Sequence, residues 1–320
     1  MGRPIEYSIP IVKMTQKKLA LVIINWNSYD LTKDTLSSLA ETSYKNYDII
    51  VVDNNSTDAS AVQLEKEFPA IILLRSDENK GFTGGNNIGF EYALQNDYEY
   101  VMMLNNDVGV EANFLEPLVA KLDSDNNIGG VQPLIYFYHD HELIWNAGSR
   151  YNPVFGIPYI LGYNRKDKGQ VQRQKQKSID WITGCAFMMR TEVLKKVGLL
   201  KQDFFIYYED VDLSFRIKAA GYALAYEPSS VIYHIAGMSH KSKEKLKEGY
   251  LNPKVHYLNA RNRLFVLKGY TKTIAIPTVI LYQIIYFFGI SFYFIFRRRW
   301  QKLRAWNKGM KEGLLNTVEN

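Results

Sequence analysis

Short, continuous apolar runs alternate with amphipathic stretches through the first 130 residues. Residues 19–24, 48–52, 71–74, 100–104 and 128–131 have strand length and are rich in Val, Ile and Leu. Between them, residues 29–39, 58–68, 83–94 and 111–122 repeat apolar side chains at helical spacing, with Leu31, Leu36 and Leu39 marking the first. Strands that are apolar throughout are buried on both faces. The pattern therefore predicts an α/β fold, a mostly parallel central sheet with helices on both faces. After Pro133 the alternation breaks. Residues 160–180 are basic and Gln-rich and read as a mobile loop. A strand over 181–189, a helix over 191–196 and a helix over 211–220 stopped by Gly221 follow. Short strands at 223–226 and 230–235, a polar loop over 238–252 and a helix over 254–268 complete this half. A long apolar segment, 274–296, comes next.

In an open sheet of this kind ligands bind beyond the carboxyl ends of the strands. Four successive strands end in polar residues: Asn25-Trp26-Asn27, Asp53-Asn54-Asn55, Asn79 to Asn87, and Asn105-Asn106-Asp107. Four such ends on one edge point to a polar, extended ligand. Asp53 is placed to accept the imide N–H of uracil or thymine, or to make an Asx-turn; Asp58 is the better helix cap. Asp107 offers a carboxylate to a hard cation that bridges diphosphate oxygens. Further on, Glu209, Asp210 and Asp212 lie within four residues behind the aromatic run Phe205-Ile206-Tyr207-Tyr208. Two readings stand open here. Asp210 caps the following helix with Asp212 favoured by its dipole, or Glu209 and Asp210 form a partly buried pair whose raised pKa makes a general base.

The segments VIINWNSYDLTKDTLSSL, DIIVVDNNSTDAS, NKGFTGGNNIGF, VMMLNNDVGVEANFLEPL, WITGCAFMMR and FFIYYEDVDLSFRIKAAGY together resemble the family 2 glycosyltransferases of GT-A fold. The likeness covers residues 19–268 and is greatest for the rhamnosyltransferase and galactofuranosyltransferase branch. It implies an inverting, metal-dependent transfer of a sugar, L-rhamnose from dTDP-L-rhamnose being favoured, from a nucleoside diphosphate to a hydroxyl of a lipid-linked saccharide in cell-surface polysaccharide synthesis. UDP-galactofuranose and UDP-N-acetylglucosamine are the alternatives, as is a non-catalytic scaffold of the same fold. By the same resemblance Asp210 is the base, supported by Glu209. Asn25, Asn27, Asp53, Asn55, Gly84, Gly85, Asn86, Asn105, Asn106 and Arg261 bind the donor, and Trp181 and Gly184 lie on the acceptor side. Asp107 and His234 hold Mn²⁺ or Mg²⁺. The family's Asp-x-Asp metal motif has Asn105 in its first position here, which leaves Asp107 as its only charged ligand. A Gln-x-x-Arg-Trp motif of processive synthases is missing. So are the Gly-rich loop of nucleotidyltransferases, the G-x-G-x-x-G of dinucleotide-binding enzymes and a Walker loop.

Charge and composition refine this picture. Of the 320 residues 47% are hydrophobic, enough for a sizeable core. The net charge is +6, and residues 297–320 alone carry +5, seven basic against two acidic side chains. Such a tail suits an anionic surface. The 23 residues of 274–296 would reach about 34 Å as a helix, enough for a bilayer core of ~30 Å. A simple span would set the basic tail outside, against the positive-inside tendency. Pro277 and Gly289 suggest a bend and return, or a helix lying in the interface, with Trp300, Leu303, Trp306 and Met310 forming the apolar side of a surface helix. The single cysteine, Cys185, excludes an intrachain disulfide and a cysteine-based metal site and fits a reducing compartment. No signal peptide is read at the N-terminus. The expected organisation is a lead-in over 1–18, a catalytic domain over 19–270 and a membrane-associated segment over 271–320. The expected partners are the nucleotide sugar, the acceptor and the cytoplasmic membrane face, with no nucleic acid.

Overall fold

The computed structural model describes residues 17–171, 179–236, 241–246 and 248–318, with no side-chain description for 241–246. Most of the expected lead-in and part of the expected 160–180 loop lie outside these residues. The chain order is β1 (Leu19–Asn25), α1 (Tyr29–Ala40), β2 (Tyr47–Asp53), α2 (Ser60–Glu67), β3 (Ile72–Arg75), α3 (Gly81–Gln95), β4 (Tyr100–Leu104), β5 (Val108–Val110) and α4 (Leu115–Ser124). Then follow β6 (Ile128–Phe137), β7 (Asp140–Asn146), β8 (Ser149–Asn152), β9 (Ile157–Ile160), β10 (Arg165–Lys166), β11 (Ala186–Arg190), α5 (Thr191–Val197), α6 (Glu209–Ala219) and β12 (Ala223–His234). The chain closes with β13 (Lys241–Leu246), β14 (Gly249–Leu251), α7 (Pro253–Tyr270), α8 (Ile276–Phe296) and α9 (Trp300–Leu315).

Strands β3, β2, β1 and β4 run parallel, in that order. Their side chains are apolar on both faces because helices cover both. One core packs Leu36 and Leu39 of α1, Leu64 of α2 and Leu118 of α4 against the sheet. The other packs Phe90 of α3, Leu194 of α5 and Leu213 of α6 against its opposite face. Gly85 and Gly89 let α3 lie directly on β1: a Cβ at Gly89 would stand 2.3 Å from Val22 Cγ1. Beyond β4 the sheet becomes mixed. Strand β11 runs antiparallel between β4 and β6, and β6 passes on to β7 and β10. Strand β12 lies parallel along the other edge of β6 and carries β5 antiparallel to it.

Three sequence expectations change here. The short strands at 223–226 and 230–235 are one strand, β12, with a register shift between Glu227 and Val231. Strand β6 does not stop before Pro133 but runs through it; Pro133 stands opposite Glu227, at the irregularity, where its missing N–H does least harm. The expected loop over 238–252 contains a hairpin, β13 with β14.

The C-terminal helices also differ from expectation. Helix α8 is unbroken, with Pro277 in its first turn, where the absent N–H costs nothing, so the chain does not bend and return within it. Helix α9 does not present its apolar side outward. Gly309 and Gly313 seat it on α7, a Cβ at Gly309 falling 2.2 Å from the Tyr257 carbonyl oxygen. Trp306, Leu303 and Met310 pack with α7 and α8; of the four residues expected on a lipid-facing side, Trp300 is exposed. It is α8 that shows a broad apolar face outward, including Ile285, Phe288, Phe292 and Phe296, each more than 60% exposed. The starts of α8 and α9 are bonded to the turns of the β8–β9 and β13–β14 hairpins. Thr278 donates to the Val154 carbonyl, and the first N–H groups of α9, at Gln301 and Lys302, donate to the Glu248 carboxylate.

Candidate active site

The strand ends meet as expected along the carboxyl edge of the parallel strands. Asn25 and Asp53 are register partners at the ends of β1 and β2. The Asn25 amide is fully buried and donates to Asp53 Oδ1 (3.0 Å) and to Ser60 Oγ (2.9 Å). Its Oδ1 accepts from Thr32 Oγ1 (2.9 Å), and Thr32 Oγ1 in turn accepts from Asn106 Nδ2 (2.9 Å). A continuous hydrogen-bonded chain, Asn106–Thr32–Asn25–Asp53, therefore links β4 to β2 beneath the site. Asp53 also receives Ser56, through its hydroxyl and its main-chain N–H (3.2 Å). Asn27 and Asn55 both adopt positive φ, +50° and +60°, a conformation that Asn tolerates well. Asn27 Oδ1 accepts from the Thr57 N–H (2.7 Å) and so folds the loop over the strand end, whereas Asn55 is exposed. Asp58 caps the start of α2 through the Ser60 N–H (3.0 Å). Thr32 was absent from the sequence reading. Its signal is the buried stripe Thr32, Thr35, Leu36, Leu39 of α1, on which the polar threonines carry no apolar mark.

A second cluster forms after β4. Asp107 and His234 are both buried, and Asp107 Oδ1 lies 3.1 Å from His234 Nε2. Strand β12 delivers the histidine: His234 pairs with Val108 of β5, immediately after Asp107. Asn105 Nδ2 stands 3.4 Å from the same ring nitrogen, and the buried thiol of Cys185 lies beside the ring. Burial works against a charged ring at His234, but Cys185 and Asp107 beside it raise its pKa above the usual histidine value. His234 Nδ1 is buried and meets no hydrogen-bond partner among the described residues. The one cysteine thus belongs to the neighbourhood of this pair, which its count alone gave no reason to expect.

The acidic pair opens α6. The chain reaches it through Phe205, Tyr207 and Tyr208, all at positive φ (+64°, +75° and +69°), each a backbone state that costs a non-glycine residue roughly 1–3 kcal/mol. Asp210 Oδ2 accepts from the Gly184 N–H (3.0 Å) and Oδ1 from its neighbour Val211 N–H (2.8 Å). Burial raises its pKa to about 6 against the pull of these two N–H groups. Glu209 is buried, and its Oε2 has no hydrogen-bond partner among the described residues. Burial first, and Asp210 second, push its pKa well up. Two residues on, Asp212 is held quite differently. Arg216 (2.8 Å) and the Tyr270 hydroxyl (2.6 Å) bind its carboxylate. Of the three acids, Asp212 is the structural one. Gly184 and Cys185 join the two clusters, since the Gly184 N–H holds Asp210 and the Cys185 carbonyl accepts from the Asn105 N–H (2.9 Å).

Five of the expected site residues make contacts within the protein. Gly84 and Gly85 do not open their Cα faces to a ligand. Their Cβ positions point at Lys80 Cβ (2.3 Å) and Ile24 Cδ1 (2.9 Å), so the close approach they permit is within α3 and between α3 and β1. Asn86 is buried and donates back to the Phe82 carbonyl (2.9 Å) in its own helix. Trp181 is a core residue beside Phe204 and Val211, its indole N–H on the Arg150 carbonyl (2.9 Å). Arg261 faces into the protein, bonding the carbonyls of Asp203 and Phe204 (3.2 Å) and the side chain of Asn262 (2.9 Å). Gly184 lies against the acidic pair, its missing Cβ 3.6 Å from Glu209 Oε1. An apolar cavity of about 660 Å³ lies away from all this chemistry, between α7, α8 and α9, with Leu264, Val279, Ile284 and Phe287 in its walls.

A family model described as glycosyl transferase family 2 matches residues 20–198. The low-salt glycan biosynthesis hexosyltransferase Agl10 of Haloferax volcanii is 24% identical over 204 residues, 62% of this chain and 61% of that protein. The rhamnosyltransferase WbbL of Escherichia coli is 24% identical over 79% of this chain and 96% of its own length. The N-acetylglucosaminyl-diphospho-decaprenol L-rhamnosyltransferase of Mycobacterium tuberculosis is 23% identical over 68% of this chain and 75% of its own. Among solved structures, the mannosyltransferase PcManGT of Pyrobaculum calidifontis, in complex with GDP-Man and Mn²⁺, superposes with a TM-score of 0.57 at 16% identity, covering 94% of this chain and 88% of that one. That likeness is one of fold.

Proposed function

The chain belongs to glycosyl transferase family 2, with the GT-A fold, and from this premise we propose an inverting transfer of a sugar from a nucleoside diphosphate to an acceptor hydroxyl with Asp210 as base. One observation carries the reading. Asp210 is a partly buried carboxylate held by two main-chain N–H groups, with a pKa raised to about 6, beside a second raised acid. A carboxylate so placed is unprotonated at neutral pH yet basic enough to take a proton in a transition state. It removes the acceptor proton as the hydroxyl oxygen attacks the anomeric carbon. The bond from that carbon to the diphosphate oxygen breaks, and the single displacement inverts the carbon. Glu209 orients the base or the acceptor. Asp53 accepts the imide N–H of the donor base, with its carboxylate fixed by Asn25.

Asp107 and His234 suit a divalent cation. Two ligand atoms each about 2.1 Å from an ion and at right angles stand about 3 Å apart, and this pair is 3.1 Å apart. Among the described residues no ready-made set of three acidic, His or Cys ligands occurs, so Asp107 and His234 would hold the cation with Asn105 beside them. Imidazole favours Mn²⁺ over Mg²⁺. When bound, the cation supplies positive charge to the diphosphate leaving group.

We favour dTDP-L-rhamnose as donor and a lipid-linked saccharide as acceptor, on the names of the rhamnosyltransferase relatives. The organisation that fits is a catalytic unit over residues 19–270 and a membrane-associated unit over 271–320, at the cytoplasmic face where nucleotide sugars are found. The exposed apolar face of α8, with the starts of α8 and α9 bonded to the β8–β9 and β13–β14 hairpin turns, supports a helix lying in the interface rather than crossing it. A cysteine at Asn316 that is labelled from outside intact cells would refute that placement. The activity itself is tested by offering a panel of nucleotide sugars with Mn²⁺ and measuring release of nucleoside diphosphate and the anomer formed. Inverted rhamnoside from dTDP-L-rhamnose is expected, abolished by EDTA and by Asp107→Ala. Turnover only with UDP-galactofuranose or UDP-N-acetylglucosamine would replace the donor. Absence of turnover with every donor would favour a non-catalytic scaffold.

A further inference from the structure

The segment Arg261-Asn262-Arg263 lies on α7, outside the chemistry described above. Asn262 is fully buried. The two hydrogens of its amide nitrogen are shared among three main-chain carbonyls, those of Phe204 (2.8 Å), Ile206 (2.9 Å) and Tyr207 (2.9 Å). These belong to the turn that leads into Glu209 and Asp210 and contains three residues at positive φ. The Phe204 carbonyl accepts from the Ile206 N–H within the turn (2.7 Å), and the carbonyls of Ile206 and Tyr207 are met by Asn262. Arg261 completes the arrangement. Its Nε donates to Asn262 Oδ1 (2.9 Å), which fixes the amide with its nitrogen toward the turn. Its Nη2 donates to the carbonyls of Asp203 and Phe204. The guanidinium lies over Phe265 and Tyr257 and is held there. The turn is also fixed from the other side, where the Thr83 N–H donates to the Phe205 carbonyl (3.1 Å).

We infer that Asn262, oriented by Arg261, is a positioning residue for the reaction: it clamps the turn of residues 204–207 and thereby sets where Asp210 stands relative to the acceptor hydroxyl. The inference rests on the assignment of Asp210 as base. It replaces a contact between Arg261 and the donor diphosphate with a contact to the acidic turn. A displacement of about 1 Å at a reacting group costs on the order of 10²-fold in rate, so loss of the clamp acts on kcat.

The test uses the full-length protein with the donor found active for the wild type. Asn262→Ser removes the amide that reaches the three carbonyls, and Arg261→Lys keeps the charge but loses the planar fork. For each variant kcat, donor KM and the Kd of the free nucleoside diphosphate with Mn²⁺ are measured. Asn262→Ser is expected to lower kcat by about 10²-fold and Arg261→Lys by about tenfold, with nucleotide Kd within about twofold of wild type. Asn262→Gln, which keeps the amide on a longer stem, is expected to recover part of the lost kcat. If Asn262→Ser does not fold, the Arg261→Lys split decides. Weakened nucleotide binding at unchanged kcat would overturn the inference in favour of a diphosphate contact, and unchanged kcat and Kd in a folded variant would overturn it outright. A wild type without transferase activity would instead refute the assignment of Asp210 on which the inference stands.

Discussion

Asp53 and Asp210 both close on the carboxyl edge of the sheet, but their surroundings differ. Asp53 ends a strand and is held by the side chains of Asn25 and Ser56, and behind them a hydrogen-bonded chain runs to Asn106. Asp210 begins a helix behind a strained turn, with two main-chain donors and, next to it, Glu209, whose Oε2 has no hydrogen-bond partner among the described residues. The first arrangement fixes a carboxylate in place, as recognition of a flat base requires. The second is buried, and burial raises the affinity of the carboxylate for a proton against the pull of the two donors, as general-base catalysis requires. Asp212, bound by Arg216 and Tyr270 on the same helix as Asp210, shows that the fold supplies partners to an acid where it needs a silent one.

The largest effect is expected at Asp210. Asp210→Asn keeps the shape and removes the base, so kcat should fall at least ~10²-fold while the Kd for nucleoside diphosphate stays near the wild-type value. A near-normal kcat with a lowered melting temperature would mean that Asp210 serves only as a helix cap. Asp53→Ala should do the reverse. Loss of one hydrogen-bonded contact to the base should weaken nucleotide binding by about tenfold and leave kcat at saturating donor little changed. An unchanged Kd would remove Asp53 from base recognition and dissolve the contrast.

The smallest effect concerns stability. The pKa of Glu209 is higher in the folded than in the unfolded chain, because burial and then Asp210 disfavour its charge. Such a group costs stability as pH rises through its folded value, and the cost vanishes below its unfolded value near 4.5. Glu209→Gln is therefore expected to be more stable than wild type at pH 8, by on the order of 1 kcal/mol, with the difference closing toward pH 4.5. Thermal melts across that range would show it, and a destabilised variant at pH 8 would contradict it.

The two regions also differ in how far the sequence announced them. Around Asp53 the signal was strong, because strands β1 to β4 are apolar on both faces and stop abruptly at polar residues. What joins the polar ends was hidden: Thr32 lies in a helix whose legible marks were leucines. Around Asp210 the acids were visible in the chain, but their sorting was not. Only the fold shows that Arg216 pairs with Asp212 and Tyr270 donates to it, while Glu209 and Asp210 have no salt bridge among the described residues. His234 was placed by resemblance, and its contact with Asp107 depends on β12 running past a bulge as one strand, which Pro228 and the serines after it concealed. Gly85 and Arg261 were assigned to the ligand because local sequence does not say which way a missing Cβ or a long guanidinium points. Both turn into the protein.

The dependence of kcat on pH, in wild type and in Asp210→Asn side by side, tests the central assignment most directly. An acid with a pKa raised to about 6 must be unprotonated to act as base. Wild-type kcat should therefore be level above about pH 7 and fall toward a tenfold loss per pH unit below about pH 6, and this ionisation should be missing from the residual rate of Asp210→Asn. The same ionisation surviving in the variant would contradict the assignment of Asp210 as the catalytic base.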